Sequence, residues 1–130
     1  MDVDHYQALI EERAKRPKHS GVVDDPDVVV KKRDILANDE LTLMVVFNPE
    51  AKKVDYAKWQ GKGCMISRAV METIVSEVVR LKSLDKLKKL ELVDVLKQLG
   101  LEAITPSRFK CANLGWQVFQ ATLDKLKNIQ

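Results

Sequence analysis

The period of apolar and polar positions changes twice along the chain. From Val3 to Arg16, Tyr6, Leu9, Ile10 and Ala14 recur at three- and four-residue spacing, which predicts a short amphipathic helix stopped by Pro17. After Gly21 the sequence turns to β-branched runs: Val22-Val23, Val28-Val29-Val30, and Leu41-Thr42-Leu43-Met44-Val45-Val46-Phe47. Asp24-Asp25-Pro26-Asp27 separates the first two runs and Asn48-Pro49-Glu50 closes the third, so the pattern predicts strands joined by tight turns. A further extended piece from Lys53 to Trp59 adds Val54 and Tyr56, as an edge strand or a loop, before Gly61 and Gly63.

Beyond Cys64 the period becomes helical. Ile66, Val70, Ile74, Val78 and Leu81 form a stripe fit to pack on a sheet. Ser83 is placed to cap a second helix carrying Leu84, Leu87, Leu90, Val93, Leu96 and Leu99, with Gly100 ending it. Thr105-Pro106 opens a last helix in which Ala112, Trp116, Phe119, Leu123 and Leu126 share one face. Strands in the first half and helices in the second predict an α+β fold: a small antiparallel sheet of about three strands, helices packed on one side, an N-terminal helix and a helical C-terminal half.

Size and composition add bounds. The 130 residues suit a single domain spanning 1–130, with no internal repeat or linker. With 45% hydrophobic and 32% charged residues, the chain is globular with a highly charged surface, and is neither disordered nor fibrous. No run reaches the about 18 apolar residues of a membrane span, and Met1-Asp2-Val3-Asp4 lacks the basic and apolar regions of a secretory signal, so a cytoplasmic location and no membrane partner are expected. The net charge is +3, and the basic clusters Lys15-Arg16-Pro17-Lys18, Lys31-Lys32-Arg33 and Lys86 with Lys88-Lys89 are short, interleaved with acids and poor in aromatics. They read as solvated faces and give no expectation of nucleic-acid binding.

The chemistry concentrates at two cysteines. Cys64 lies in Trp59-Gln60-Gly61-Lys62-Gly63-Cys64-Met65-Ile66-Ser67, a glycine-loosened turn feeding a helix. Cys111 lies in Arg108-Phe109-Lys110-Cys111-Ala112-Asn113-Leu114-Gly115-Trp116, near the start of the last helix and beside two cations. Helix dipole and neighbouring charge predict thiolate character at both. A reducing cytoplasm argues for ligand or reactive thiols over a disulfide. His19 reads as a loop hydrogen-bonding residue, His5 as a helix-surface residue and the Trp116–Phe119 stripe as core. Lys62, Arg108 and Lys110 solvate the rim, with a second reading as cations that stabilise thiolates and attract an acidic partner.

Together these segments resemble the iron–sulfur cluster assembly scaffolds of the NifU/IscU/SufU type, over nearly the whole chain. The Cys64 segment is similar to that family's Phe-x-Gly-x-Gly-Cys-x-Ile-Ser, and the Cys111 segment to the Arg-x-Lys-Cys-Ala-x-Leu-x-Trp of the SufU-like branch. Tyr6 and Arg16-Pro17-Lys18-His19-Ser20-Gly21 correspond to the family's N-terminal Pro-(Arg/Lys)-Asn-x-Gly stretch. The family holds its metal or nascent cluster with three cysteines and an aspartate, the first cysteine lying in a Cys-Gly-Asp turn. Registering that turn by the following strand puts Ala37 at the cysteine, Asn38 at the glycine and Asp39 at the aspartate. Lys110 stands where the IscU-like branch has a histidine. The long insertion of the SufU-like branch is mostly absent, so the subfamily stays open.

What the resemblance implies is a scaffold that is not an enzyme, with Asp39, Cys64 and Cys111 as the remaining metal and cofactor-binding residues for iron or a transient [2Fe–2S] cluster, zinc being the alternative metal. The implied partners are a cysteine desulfurase, cluster-accepting apoproteins, and a second copy or a scaffold paralogue. A [2Fe–2S] cluster or tetrahedral zinc takes four ligands, and one chain supplies three. Water would complete a labile site, and two chains would supply four thiolates. Two further readings stand beside this one: a degenerate adaptor or regulator of a desulfurase–scaffold system that carries no cluster, favoured by Ala37, and a zinc-dependent sulfur acceptor of the SufU type, which Ala37 weighs against. Of the two thiols, the resemblance to IscU-like members marks Cys111 as the residual sulfur acceptor.

Overall fold

The computed structural model describes residues 3–101 and 105–129. An N-terminal helix α1 (Val3–Lys15) precedes three strands, β1 (Val28–Asp34), β2 (Asp39–Asn48) and β3 (Lys53–Lys62). Four helices follow: α2 (Met65–Leu81), the single turn α3 (Leu84–Leu87), α4 (Leu92–Gln98) and α5 (Pro106–Ile129). The strands form one antiparallel sheet in the order β1-β2-β3, with Val30 opposite Leu43 and Leu43 opposite Trp59. Period-two alternation sends Val28, Val30, Leu41, Leu43, Val45, Phe47, Ala57 and Trp59 to one buried face, and a register shift between Val46 and Phe47 lets Val54, opposite Phe47, join them. There α2 lies against β3, and α5 against β1 and β2, while α1 packs on the back of α2. The expected α+β architecture is the one observed.

Two local expectations change, and one open reading is decided. Val22-Val23 is not a strand: between Gly21, at φ 137°, and the acidic Pro-containing turn it is too short to form a ladder, and Val22 is 60% exposed. The segment instead hangs on β3 through Gly21 N–H to the Trp59 carbonyl (2.9 Å) and Trp59 N–H to the His19 carbonyl (3.0 Å). Of the two readings of the piece from Lys53, the edge strand is the one observed, ten residues long and continuing past Trp59 to Lys62. The helix expected from Leu84 to Leu99 is two helices, because the Glu91 N–H bonds the Asp94 Oδ2 at 3.0 Å and starts a new N-terminus. Its end follows the sequence: Gly100 at φ 66° donates to the Lys97 carbonyl (3.2 Å) and Leu101 to the Leu96 carbonyl (2.8 Å), a Schellman close.

Candidate metal and thiol site

Three elements bring the candidate residues together. Asp39 is the first residue of the central strand β2, and its side chain is buried, 3% exposed. Asn38 before it has φ 58°, a left-handed backbone that favours glycine or asparagine, in agreement with the register that put Asn38 at a glycine position. Cys64 is the N-cap of α2, with extended φ −67° and ψ 166°, and its Sγ accepts the Ser67 N–H at 3.4 Å. A thiol thus occupies a position where serine, threonine or aspartate ordinarily sits. Cys111 lies six residues into α5, half-buried, facing Cys64. One sulfur from each cysteine and one oxygen of Asp39 lie within 4.8 Å of one another.

Ser67 ties the three together. Its hydroxyl donates to the Asp39 Oδ2 at 2.7 Å, lies 3.2 Å from the Cys64 Sγ and reaches the Cys111 carbonyl at 3.3 Å. The Cys64 N–H donates to the other carboxylate oxygen, Asp39 Oδ1, at 3.2 Å. Each oxygen of Asp39 has one donor, leaving lone pairs for a cation. Gly63 is obligatory for this approach, since a Cβ there would stand 2.8 Å from Asp39 Oδ1. The two sulfurs also open onto a cavity of about 750 Å³ whose walls include Tyr6, Ile10, Ile66 and Leu99.

The thiols are not electrically alike. Burial pushes the Cys64 thiol up, but the Ser67 hydroxyl and N–H, with the Cys111 thiol, outweigh it and leave it below the ordinary thiol range. Cys111 is raised to about 11, first by burial and then by the neighbouring Cys64. Of the two shifts toward thiolate that were expected, only the one at Cys64 has the expected direction; at Cys111 burial and the neighbouring Cys64 push the thiol the other way. Lys62, Arg108 and Lys110 are exposed at the rim.

Ala37 lies exposed in the 35–38 turn beside Ile35 and Leu36, which are 82% and 96% exposed. His19 is not with the thiols. Its Nδ1 lies 2.7 Å from Glu72 Oε2 and its N–H donates to Glu72 Oε1 at 3.1 Å, so it tethers the N-terminal loop to α2. Sequence reasoning missed Ser67 and Glu72 as organisers. The Cys-x-x-Ser spacing at an N-cap is the signal that could have found Ser67, whereas Glu72 sits at an apolar-facing position that the stripe alone cannot explain.

Residues 5–130 match the family described as NifU-like N terminal domain. The chain is 29% identical over 135 residues to the iron–sulfur cluster assembly scaffold protein IscU of Thermotoga maritima, covering 93% of this chain and 94% of that protein. It is 26% identical over 138 residues to the zinc-dependent sulfurtransferase SufU of Bacillus subtilis, covering 92% and 90%. The fold is also similar to the crystal structure of the N-terminal part of a nitrogen-fixing NifU-like protein from Brucella abortus, with a TM-score of 0.73 at 17% identity over 96% of each chain.

Proposed function

Because the chain belongs to the NifU-like N-terminal domain family, we propose that it is an iron–sulfur cluster assembly protein of the scaffold type. Its cargo is iron or a nascent [2Fe–2S] cluster, taken up through Asp39, Cys64 and Cys111 and passed to acceptor proteins. The observation that carries this reading is the convergence of two sulfurs and a carboxylate oxygen within 4.8 Å. Two thiolates and a carboxylate suit both iron in a sulfur cluster and zinc. With Ala37 in the exposed turn, the fourth ligand comes from water, a second copy or a partner's thiol. Sulfur comes from a cysteine desulfurase, and the setting is the cytoplasm, where reducing conditions keep both cysteines free.

A zinc-dependent sulfur-acceptor role is the second reading, supported by the similarity to a zinc-dependent sulfurtransferase. The test is anaerobic reconstitution with iron and sulfide, read by visible absorption, metal and sulfide content, and mass in solution. A coloured species lost in Cys64→Ser, Cys111→Ser and Asp39→Ala is expected, and its mass separates a one-chain from a two-chain site. A folded chain that binds no iron overturns the scaffold reading in favour of the adaptor. Tight zinc binding without cluster formation favours the acceptor.

A further inference from the structure

Among the described residues, the group able to hold a metal ion consists of Asp39, Cys64 and Cys111, one donor short of the four that zinc or a [2Fe–2S] cluster takes. Both cysteines stand in the wall of the cavity of about 750 Å³, so a donor entering by that route meets both of them. The volume suits a compact organic molecule. Most of the wall is apolar, with Tyr6, Ile10, Ile66 and Leu99, but two charged side chains stand in it: Glu11 on α1, half-buried, and Arg108 on α5. Among the described residues neither has an ion-pair partner. Opposite charges, unpaired and on separate walls of an apolar cavity, are the kind of polar groups that fix an occupant's orientation. Arg108 also lies one helical turn before Cys111, on the same side of α5.

We propose that the cavity binds a small zwitterionic thiol, about two or three amino acids in size, and that the sulfur of this molecule serves as the fourth ligand of the metal site. Arg108 takes its carboxylate, the planar guanidinium matching both oxygens, and Glu11 takes its ammonium group. With the carboxylate held one turn from Cys111, the thiol of the same molecule is within reach of the two cysteine sulfurs. Two thiolates already make the site soft, which favours a further sulfur over an oxygen donor. On ligation the thiol gives its proton to solvent, as Cys64 and Cys111 do, and no electrons are exchanged.

A molecule held in this way supplies the donor atom that the Ala37 side chain lacks. The exposed cations Lys62 and Lys110 at the rim offset the negative charge it adds. The inference rests on the proposed function in one respect, that Asp39, Cys64 and Cys111 hold a metal ion. Recognition of the two charged ends by Glu11 and Arg108 does not depend on it.

The experiment titrates the metal-free full chain with cobalt(II) under argon, read against the same mixtures without protein, with intact mass at the end to exclude mixed disulfides. Glutathione is the probe; S-methylglutathione keeps the charges without the thiol, and 2-mercaptoethanol keeps the thiol without the charges. The sulfur-to-cobalt absorption follows the number of thiolates bound, and glutathione should raise it by about half as two thiolates become three. S-methylglutathione gives no rise. 2-Mercaptoethanol, and glutathione with Arg108→Ala or Glu11→Gln, need at least about tenfold higher concentrations for the same rise, with Arg108→Lys in between. Calorimetry on the metal-free chain supplies the readout that needs no metal: glutathione and S-methylglutathione bind saturably and alike, and both weaken at least about tenfold in Arg108→Ala. A cobalt spectrum indifferent to glutathione, or a rise that 2-mercaptoethanol gives as readily, overturns this inference and leaves the scaffold reading untouched. A chain that binds glutathione in the calorimeter but takes up no cobalt, with or without it, defeats the scaffold reading and leaves the thiol-binding cavity standing.

Discussion

Replacing Glu72 tests how the N-terminal loop is held over the edge strand. The carboxylate is 2% exposed and is met by four groups: the His19 N–H at 3.1 Å and Trp59 Nε1–H at 3.0 Å on Oε1, and the Ser76 hydroxyl at 3.0 Å and His19 Nδ1 at 2.7 Å on Oε2. Glu72→Ala leaves the indole and backbone N–H donors without partners, each costing about 1–3 kcal/mol, and with the lost packing the loss comes to about 3–5 kcal/mol. At about 4 °C per kcal/mol for a domain of this size, the melting temperature falls by about 12–20 °C. Glu72→Gln keeps the shape. Its amide oxygen still accepts from Trp59 and His19 N–H, and its NH₂ donates to Ser76 and to an unprotonated His19 Nδ1, so the loss is only about 1 kcal/mol. Urea unfolding at pH 7.5 measures both, and hydrogen exchange at the Gly21 and Trp59 amides reads the loop directly. The alanine variant should lose protection there before the rest of the sheet. An alanine variant within about 1 kcal/mol of the parent would refute the idea that Glu72 anchors the loop.

Alkylation by iodoacetamide as a function of pH should separate the thiols, since the thiolate is the reactive form and rates rise as pH passes each pKa. Cys64 reacts with a midpoint below that of an ordinary thiol, and Cys111 with one near about 11; Cys64→Ser brings the Cys111 midpoint down by removing its neighbour while burial still holds it up. Coincident profiles would contradict the asymmetry. Gly100→Ala places a side chain at φ 66°, costing about 1–2 kcal/mol in backbone strain. Its Cβ would also stand 2.3 Å from Tyr6 Cγ, so α1 is pushed off as well and the melting temperature should fall by at least about 5 °C, checked by calorimetry.

Much of the fold was legible because the strongest signals are periodic. The α2 stripe, the Gly100 stop, the Thr105-Pro106 start and the long apolar run of β2 all encode local geometry directly. The differences fell where one turn or one cap outweighs the composition of the run around it. Val22-Val23 has strand composition, but its neighbours Gly21 and Pro26 allow no ladder. The break between α3 and α4 depends on one side-chain cap within an otherwise leucine-rich run. In the site, the motifs placed Asp39, Cys64 and Cys111, and chain folding brought them together. The unequal protonation of the cysteines was not readable, since it depends on how deep in α5 Cys111 lies and on which side chains surround it. Glu72 and Ser67 act through contacts 53 and 44 residues distant in sequence, to His19 and Cys111, and no local pattern carries such information.

The exposed turn between β1 and β2 has a meaning for how such a chain can change over generations. Ile35, Leu36, Ala37 and Asn38 all face solvent and give nothing to the core, so apart from the left-handed backbone at Asn38 the turn accepts many side chains without cost to folding. Residue 37 can gain or lose a thiol while the sheet stays intact, and stability places no brake on that drift. Position 64 is constrained in the opposite sense: serine caps helices better than cysteine, so folding alone would favour replacing the sulfur. The architecture thus leaves the turn at residue 37 open to tinkering and keeps a cysteine at 64 only as long as its chemistry is useful, so such a chain is able to change its chemistry before it changes its shape.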